Sequence, residues 1–256
     1  MKKPKVKDDI QPDNPQASKI PDKVLHPQIY YFDIEAMQET NTHKANLVVV
    51  QHEDGMPEKQ HIFNNDFDVN ARNKFCNWIF NEHCNLDSEQ TIIFVAHYLK
   101  GNDGYFILEY LYFHILFPKV ILTGSKLMTL DVPQFKVKFI DSYNFLPMAL
   151  SKWPATFGLI EMCKGYFPHF FNKEENQNYR GKMPDIEHYR PDSLPSGERD
   201  ALLKWHAKKV ASNYLFIMKK EIREYCISDV KFYEKVVNNF ASDARHYSSW
   251  THLLNV

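Results

Sequence analysis

The run "QIYYFDIEAM", residues 28–37, constrains the fold more than any other stretch of the chain. It is apolar and aromatic and reads as a β-strand, yet it carries two acids, Asp33 and Glu35. Side chains at i and i+2 of a strand share a face. Both acids therefore project from one side, and Phe32 and Ile34 mark the opposite side as the buried one. Adjacent carboxylates repel each other and cost desolvation unless a cation neutralises them. Alone, the pair says little. With 32 acids among 256 residues, roughly four such pairs arise by chance, and a solvated strand face is their ordinary explanation.

The flanking sequence supplies strands and helices in alternation. "ANLVVVQHE" reads as a second strand, and "TIIFVAH" as a short, fully buried one. "KVILTG" and "KLMTLDV" are strand candidates, and "FKVKFIDS" alternates apolar and basic residues like a strand with one wet face. "NARNKFCNWIFNEH" places Phe75, Trp78 and Ile79 at helical spacing. "DGYFILEYLYFHIL" has helical length, with Asp103 at its start as an N-cap. "ERDALLKWHAKK" and "KKEIREYCISDVKFYEKVVNNF" are helices. The second repeats Ile222, Tyr225, Cys226, Asp229, Phe232, Tyr233 and Val236 with a 3.6-residue period. Residues 172–198 are polar and hold several Pro and Gly, as a long loop or insertion does. Residues 1–24 are polar and Pro-rich, an extended or disordered lead-in, and residues 25–242 form the domain. Strands interleaved with helices give a mixed α/β domain.

Composition excludes several classes. Net charge is −1, so contact with nucleic acid needs a local basic patch, not bulk charge. The four cysteines, Cys76, Cys84, Cys163 and Cys226, lack CxxC spacing. That argues against a zinc site or a disulfide framework and for reduced thiols in an intracellular setting. No apolar run reaches the length of about 18 residues that a membrane span needs. The N-terminus lacks a signal-peptide core, and "MKKPKVK" reads as a short solvated basic tail, with a nuclear signal as the alternative.

Three weak signals combine into a stronger one. Tyr225 and Asp229 are four apart on a helix and share a face. Asp33 and Glu35 on a first strand, Asp103 at a helix start and Asp229 on a late helix make a set of four carboxylates. Hard oxygen donors of this kind suit Mg²⁺ or Mn²⁺. Two such ions about 4 Å apart can activate a water and stabilise the leaving oxygen of a phosphodiester, with the Tyr225 hydroxyl placed to orient that water.

The ordered series "YYFDIEAMQE", "AHYLKGNDGYFILEYL", "FIDSYNFLPMALSKWPATFGL", "KGYFPHFFN" and "EYCISDV" resembles the 3′–5′ exonuclease domain of family B DNA polymerases of the organellar and viral, protein-primed type. Within that type it is most similar to the polymerases of Polinton/Maverick-like transposons and related viruses. The resemblance runs from about Tyr30 to about Phe240. It implies an RNase H-like fold, a mixed sheet of about five strands flanked by helices. It implies two Mg²⁺ or Mn²⁺ ions held by Asp33, Glu35, Asp103 and Asp229. It also implies that Tyr225 positions the attacking water and that Lys164, in "KGYF", supports the scissile phosphate. Ser142 and Tyr143 fall where the family places a Ser-Leu pair that grips single-stranded DNA, and Tyr143 departs from that pair. His169 and Trp153 read as core or loop residues.

Two further departures matter. Tyr98 stands where the family has Asn, and Asn102 where it has Tyr or Phe; both usual residues contact the 3′-terminal nucleotides. Ala36 occupies a position that is often polar. The expectation is an intact metal cage with a degraded DNA grip. No polymerase motif follows the third exonuclease motif, so residues 243–256 read as the start of a missing polymerase region, and the chain is not expected to polymerise alone. The implied substrate is a single-stranded DNA 3′ end, and the implied setting is intracellular, nuclear in a eukaryotic host. The alternative is a domesticated remnant that holds DNA or a partner without efficient catalysis.

Overall fold

A computed structural model describes residues 26–38, 42–65, 69–124, 126–158 and 165–242. Seven strands form one sheet: β1 (Gln28–Gln38), β2 (His43–His52), β3 (Gln60–Asn64), β4 (Ile92–Ala96), β5 (Lys119–Thr123), β6 (Lys126–Val132) and β7 (Val137–Asp141). Their order is β3-β2-β1-β4-β7-β6-β5. Strands β1, β4 and β7 run parallel to one another, and the remaining neighbours pair antiparallel. The five strands β3-β2-β1-β4-β7 have the RNase H-like arrangement. The antiparallel pair β5–β6, inserted in the chain before β7, extends the sheet beyond the five strands expected. β3 was not anticipated. Its sequence, Gln60-His-Ile-Phe-Asn64, lies half-exposed at the sheet edge and lacks a long apolar run.

β1 sits inside the sheet with neighbours on both sides, and nearly all of its residues are buried. Tyr30, Phe32, Ile34 and Ala36 enter one core with Phe75, Ile79, Phe94, Ile107 and Phe139. Ile29 and Tyr31 enter a second core on the other face with Val49, Ile93, Val95 and the long last helix. This corrects the expectation that only the Phe32 face is buried, since a helix covers the acidic face as well. That helix, α5 (Met218–Ser242), follows α1 (Ala71–Asn77), α2 (Asn102–Phe113), α3 (Trp153–Phe157) and α4 (Ser196–Ala211). Its buried positions, Ile222, Tyr225, Cys226, Val230, Val236 and Val237, have the 3.6-residue period of the sequence. The segment between residues 172 and 198 carries three short 3₁₀ turns, Glu174–Asn176, Ile186–Tyr189 and Pro191–Ser193, before α4 begins at Ser196.

α1, which continues as a π-helical turn (Trp78–His83), contributes Phe75, Ile79 and Phe80 to the first core, and α2 contributes Phe106, Ile107 and Leu111. α2 approaches the sheet closely at Gly104. A Cβ there would lie 2.2 Å from the Leu127 side chain and 2.8 Å from the Leu99 carbonyl oxygen, so only glycine permits the approach. The first turn of α2 is thereby pressed onto the sheet, and Asp103 with it.

Candidate active site

The acidic corner forms where β1, the start of α2 and the middle of α5 meet. Asp33 and Glu35 stand on β1 opposite Val49 and Leu47 of β2, and a register irregularity follows at Glu35/Ala36. A bulge there locally re-aims the strand beside the site. Glu35 is 7% exposed. Asp33, Glu35 and Cys226 of α5 each offer a ligand atom within 4.8 Å of the other two. The Cys226 thiol lies 3.6 Å from Asp33 Oδ2 and 3.7 Å from the Asp33 carbonyl oxygen.

Asp103 joins from α2. It does not cap the helix: Gly101 holds the N-cap position, and Asp103 lies buried in the first turn. Burial first, then the charges of Asp33 and Asp141, push its carboxyl well above the usual carboxylate range. Tyr225 hydrogen-bonds Asp229 one turn on. Burial first, then Asp229, Glu35 and Asp33, hold its phenol well above the ordinary tyrosine value. The hydroxyl therefore stays protonated and donates. Burial and the charges of Asp33, Glu35 and Asp229 likewise keep the Cys226 thiol protonated. Tyr225 stacks on Phe167 at 5.3 Å and meets the edge of His169 at 5.3 Å.

Acidic side chains thus converge from three elements into a largely buried corner. Where they gather without a cation, burial and their mutual repulsion both disfavour the charged forms, and at Asp103 burial is the larger cause. The oxygen donors Asp33, Glu35, Asp103 and Asp229 match what a small hard divalent ion requires. Among the described residues, Asp33 and Glu35 belong to the tightest potential ligand group, while Asp103 and Asp229 flank it within electrostatic range.

Beside the corner, the loop from β4 to α2 is held by an acid that the sequence reading passed over. Asp141, fully buried at the end of β7, accepts the backbone N–H of Tyr98 and of Tyr143, both at 2.9 Å, and of Lys100 at 3.2 Å. Its signal was present as an acid ending an apolar strand in "KFIDS". Tyr98 adopts a left-handed backbone, φ 71°, and its ring is 52% exposed. A Cβ on Gly101 would meet that ring at 2.9 Å, so the glycine makes room for it. The ring of Tyr98 stands edge-on to Tyr143 at 5.4 Å, and Lys100 Nζ lies 3.5 Å over the Tyr143 ring.

Asn102 is exposed at the first position of α2. Ser142 points inward instead: it is fully buried and shares a 3.0 Å hydrogen bond with His97 Nδ1, whose Nε2 lies 3.0 Å from the Met148 carbonyl oxygen. Trp153 is a core residue, as expected. His169 is a loop residue, on the 3₁₀ turn His169–Phe171, which the core-or-loop expectation also covers. It sits half-exposed at the site's edge with Nδ1 3.8 Å from Glu35 Oε2. Lys164 lies outside the described residues.

Comparisons with known proteins bear on the family and the fold. The family described as "DNA polymerase type B, organellar and viral" matches residues 84–249. A probable DNA polymerase of Podospora anserina is 47% identical over 55 residues, covering 22% of this chain and 4% of that protein. The structure of phi29 DNA polymerase complexed with single-stranded DNA is similar at a TM-score of 0.50 and 14% identity, over 82% of this chain and 31% of that one. At that identity the likeness speaks for the fold alone. The chain thus spans under a third of the phi29 polymerase and a small part of the fungal protein. With the family match covering most of its length, the chain belongs to the type B DNA polymerases of the organellar and viral kind.

Proposed function

We propose that this chain is the 3′–5′ exonuclease portion of such a polymerase, removing nucleotides from single-stranded DNA 3′ ends. One observation carries the reading: carboxylates from β1, α2 and α5 converge in a corner where their uncompensated charge is costly. Asp33, Glu35, Asp103 and Asp229 would hold two Mg²⁺ or Mn²⁺ ions. When bound, the ions supply an activated water and stabilise the leaving oxygen of the phosphodiester.

The chain's own residues do the rest. Tyr225, anchored to Asp229 and packed against Phe167 and His169, holds its hydroxyl where it can orient the attacking water. Lys164 supports the scissile phosphate. Tyr98 offers an exposed aromatic ring next to the acidic corner, backed by the partly buried Tyr143, and Lys100 adds a positive charge against both rings. Stacking and charge of that kind bind single strands without demanding a sequence. A tyrosine held at φ 71° is strained, and strain of this sort persists where the surroundings over-determine it, often at functional sites. This favours a rebuilt grip over the degraded one expected from the Tyr98 and Asn102 replacements.

The test uses a single-stranded oligonucleotide labelled at its 5′ end. With Mg²⁺ or Mn²⁺ the expected product is a ladder that shortens from the 3′ end, with nucleoside monophosphates released. No shortening with either metal, or cuts at internal positions, would overturn the proposal. Primer extension with all four dNTPs is expected to be absent.

A further inference from the structure

Cys226 distinguishes this acidic corner from an all-oxygen one. It lies on the face of α5 that covers β1, between Tyr225 and Asp229, and its thiol is directed at Asp33. An apolar side chain would fill the same core position. The sulfur, however, completes a mixed set: two carboxylates from a central strand and one thiol from a 25-residue helix, with donor atoms within 4.8 Å of one another. Both elements are rigid, so the set is pre-organised. The absence of CxxC spacing excludes a cysteine-cluster zinc site, but it says nothing about a single sulfur that folding delivers to two acids.

We infer that Asp33, Glu35 and Cys226 form a binding position for a thiophilic divalent ion, zinc(II) or cadmium(II), which competes there with the hard ions of the proposed nuclease. Sulfur selects for such ions, and zinc accepts mixed sulfur and carboxylate ligands. On binding, the S–H bond of Cys226 gives way to an S–metal bond, the proton leaves to solvent, and no electron is transferred. Mg²⁺ gains little from the sulfur because it prefers oxygen donors. The inference rests on the carboxylate corner assigned above to the nuclease, but its test needs neither DNA nor turnover.

The full chain is titrated with cadmium chloride without Mg²⁺, following the ultraviolet charge-transfer band of a cadmium–thiolate bond. The wild type is expected to show a band that saturates at one ion per chain. Cys226→Ala is expected to lose it, and Cys84→Ser and Cys163→Ser to keep it. Asp33→Asn should weaken cadmium binding by about 10–100-fold or more, since removing even a group behind a metal ligand has an effect of that size. Cys226→Ser, close to isosteric, repeats the measurement should the alanine variant not fold. A band that survives both Cys226 substitutions, a wild type with no band, or a band indifferent to Asp33→Asn would each overturn the inference. A chain that shows the band but digests no DNA would overturn the nuclease reading alone. A chain that digests DNA but shows no band would overturn only the soft-ion site.

Discussion

The two faces of β1 come from the same residues in strict alternation, yet they serve opposite ends. One face sends Tyr30, Phe32, Ile34 and Ala36 into a core built of aromatic and aliphatic side chains. The other begins the same way with Ile29 and Tyr31 and then turns acidic at Asp33 and Glu35, beneath an equally well-packed helix. The first face gains free energy from burial. The second gives some back, because carboxylates are held together where water is scarce. The contrast separates what holds the fold from what the fold holds, and substitutions on the two faces should move stability and activity in different directions.

The largest stability effect belongs to the apolar face. Phe32 is fully buried and its ring packs 5.3 Å from that of Phe75. Phe32→Ala is expected to cost about 3–5 kcal/mol, measured by urea denaturation. A loss below about 1 kcal/mol would mean that this face is not the main core.

The grip loop comes next and reads in two directions at once. Tyr98→Gly removes the strain of a left-handed tyrosine, worth about 1–2 kcal/mol, and so should raise the melting temperature. It should also weaken binding of single-stranded DNA by about 1–3 kcal/mol, the value of one stacked base, and Tyr98→Phe should retain most of that binding. A Gly variant that binds as tightly as wild type would show that the ring is not a platform.

On the acidic face, Asp103→Asn should stabilise the metal-free chain. It replaces a buried carboxyl, whose ionised form is disfavoured first by burial and then by Asp33 and Asp141, with a neutral amide, and such gains commonly accompany lost function. The measurement is the melting temperature with and without Mn²⁺. The variant should melt a few degrees higher without metal and respond less to the ion, whereas a variant less stable without metal would contradict the account.

The smallest effect concerns pH on the apolar side. Burial, then His61 and His52, hold His83 below its ordinary value of 6.5. Its ring is stacked on Trp78 at 4.4 Å and edge-on to Tyr30 at 5.0 Å. A histidine depressed in the folded state is neutral in both states at high pH. As pH falls below about 6.5 the unfolded chain takes up the proton first, so stability drops through that window. His83→Phe should flatten the dependence between roughly pH 7 and pH 5 by less than about 1 kcal/mol, because part of the ring stays solvated. An unchanged pH profile would place the titration elsewhere.

Much of this contrast was legible in the chain. Apolar runs such as Ile92–Ala96 announced the inner strands because burial on both sides leaves little room for polar residues. The period of α5 announced the helix that covers the acids, and the spacing of Asp33 with Glu35 and of Tyr225 with Asp229 announced the chemistry. What could not be read depends on packing between distant segments. Asp103 looked like a helix cap until the close approach at Gly104 set it in the first turn, buried. Asp141 looked like a strand end, yet it ties three backbone amides of two loops. His169 and Cys226 reach Glu35 and Asp33 only through the fold. β3 was missed because an edge strand needs no strong apolar pattern.

In the proposed nuclease, the polar face of β1 carries the divalent-ion site that cuts single-stranded 3′ ends. The most direct measurement compares Asp33→Asn with wild type for Mn²⁺-dependent release of nucleoside monophosphates from single-stranded DNA, after melting has shown both to be folded. Loss of a ligand forfeits several kcal/mol of transition-state stabilisation, at about 1.4 kcal/mol per factor of ten. The rate is therefore expected to fall by roughly a thousand-fold or more in a variant at least as stable as wild type. Release by Asp33→Asn at the wild-type rate would contradict this expectation.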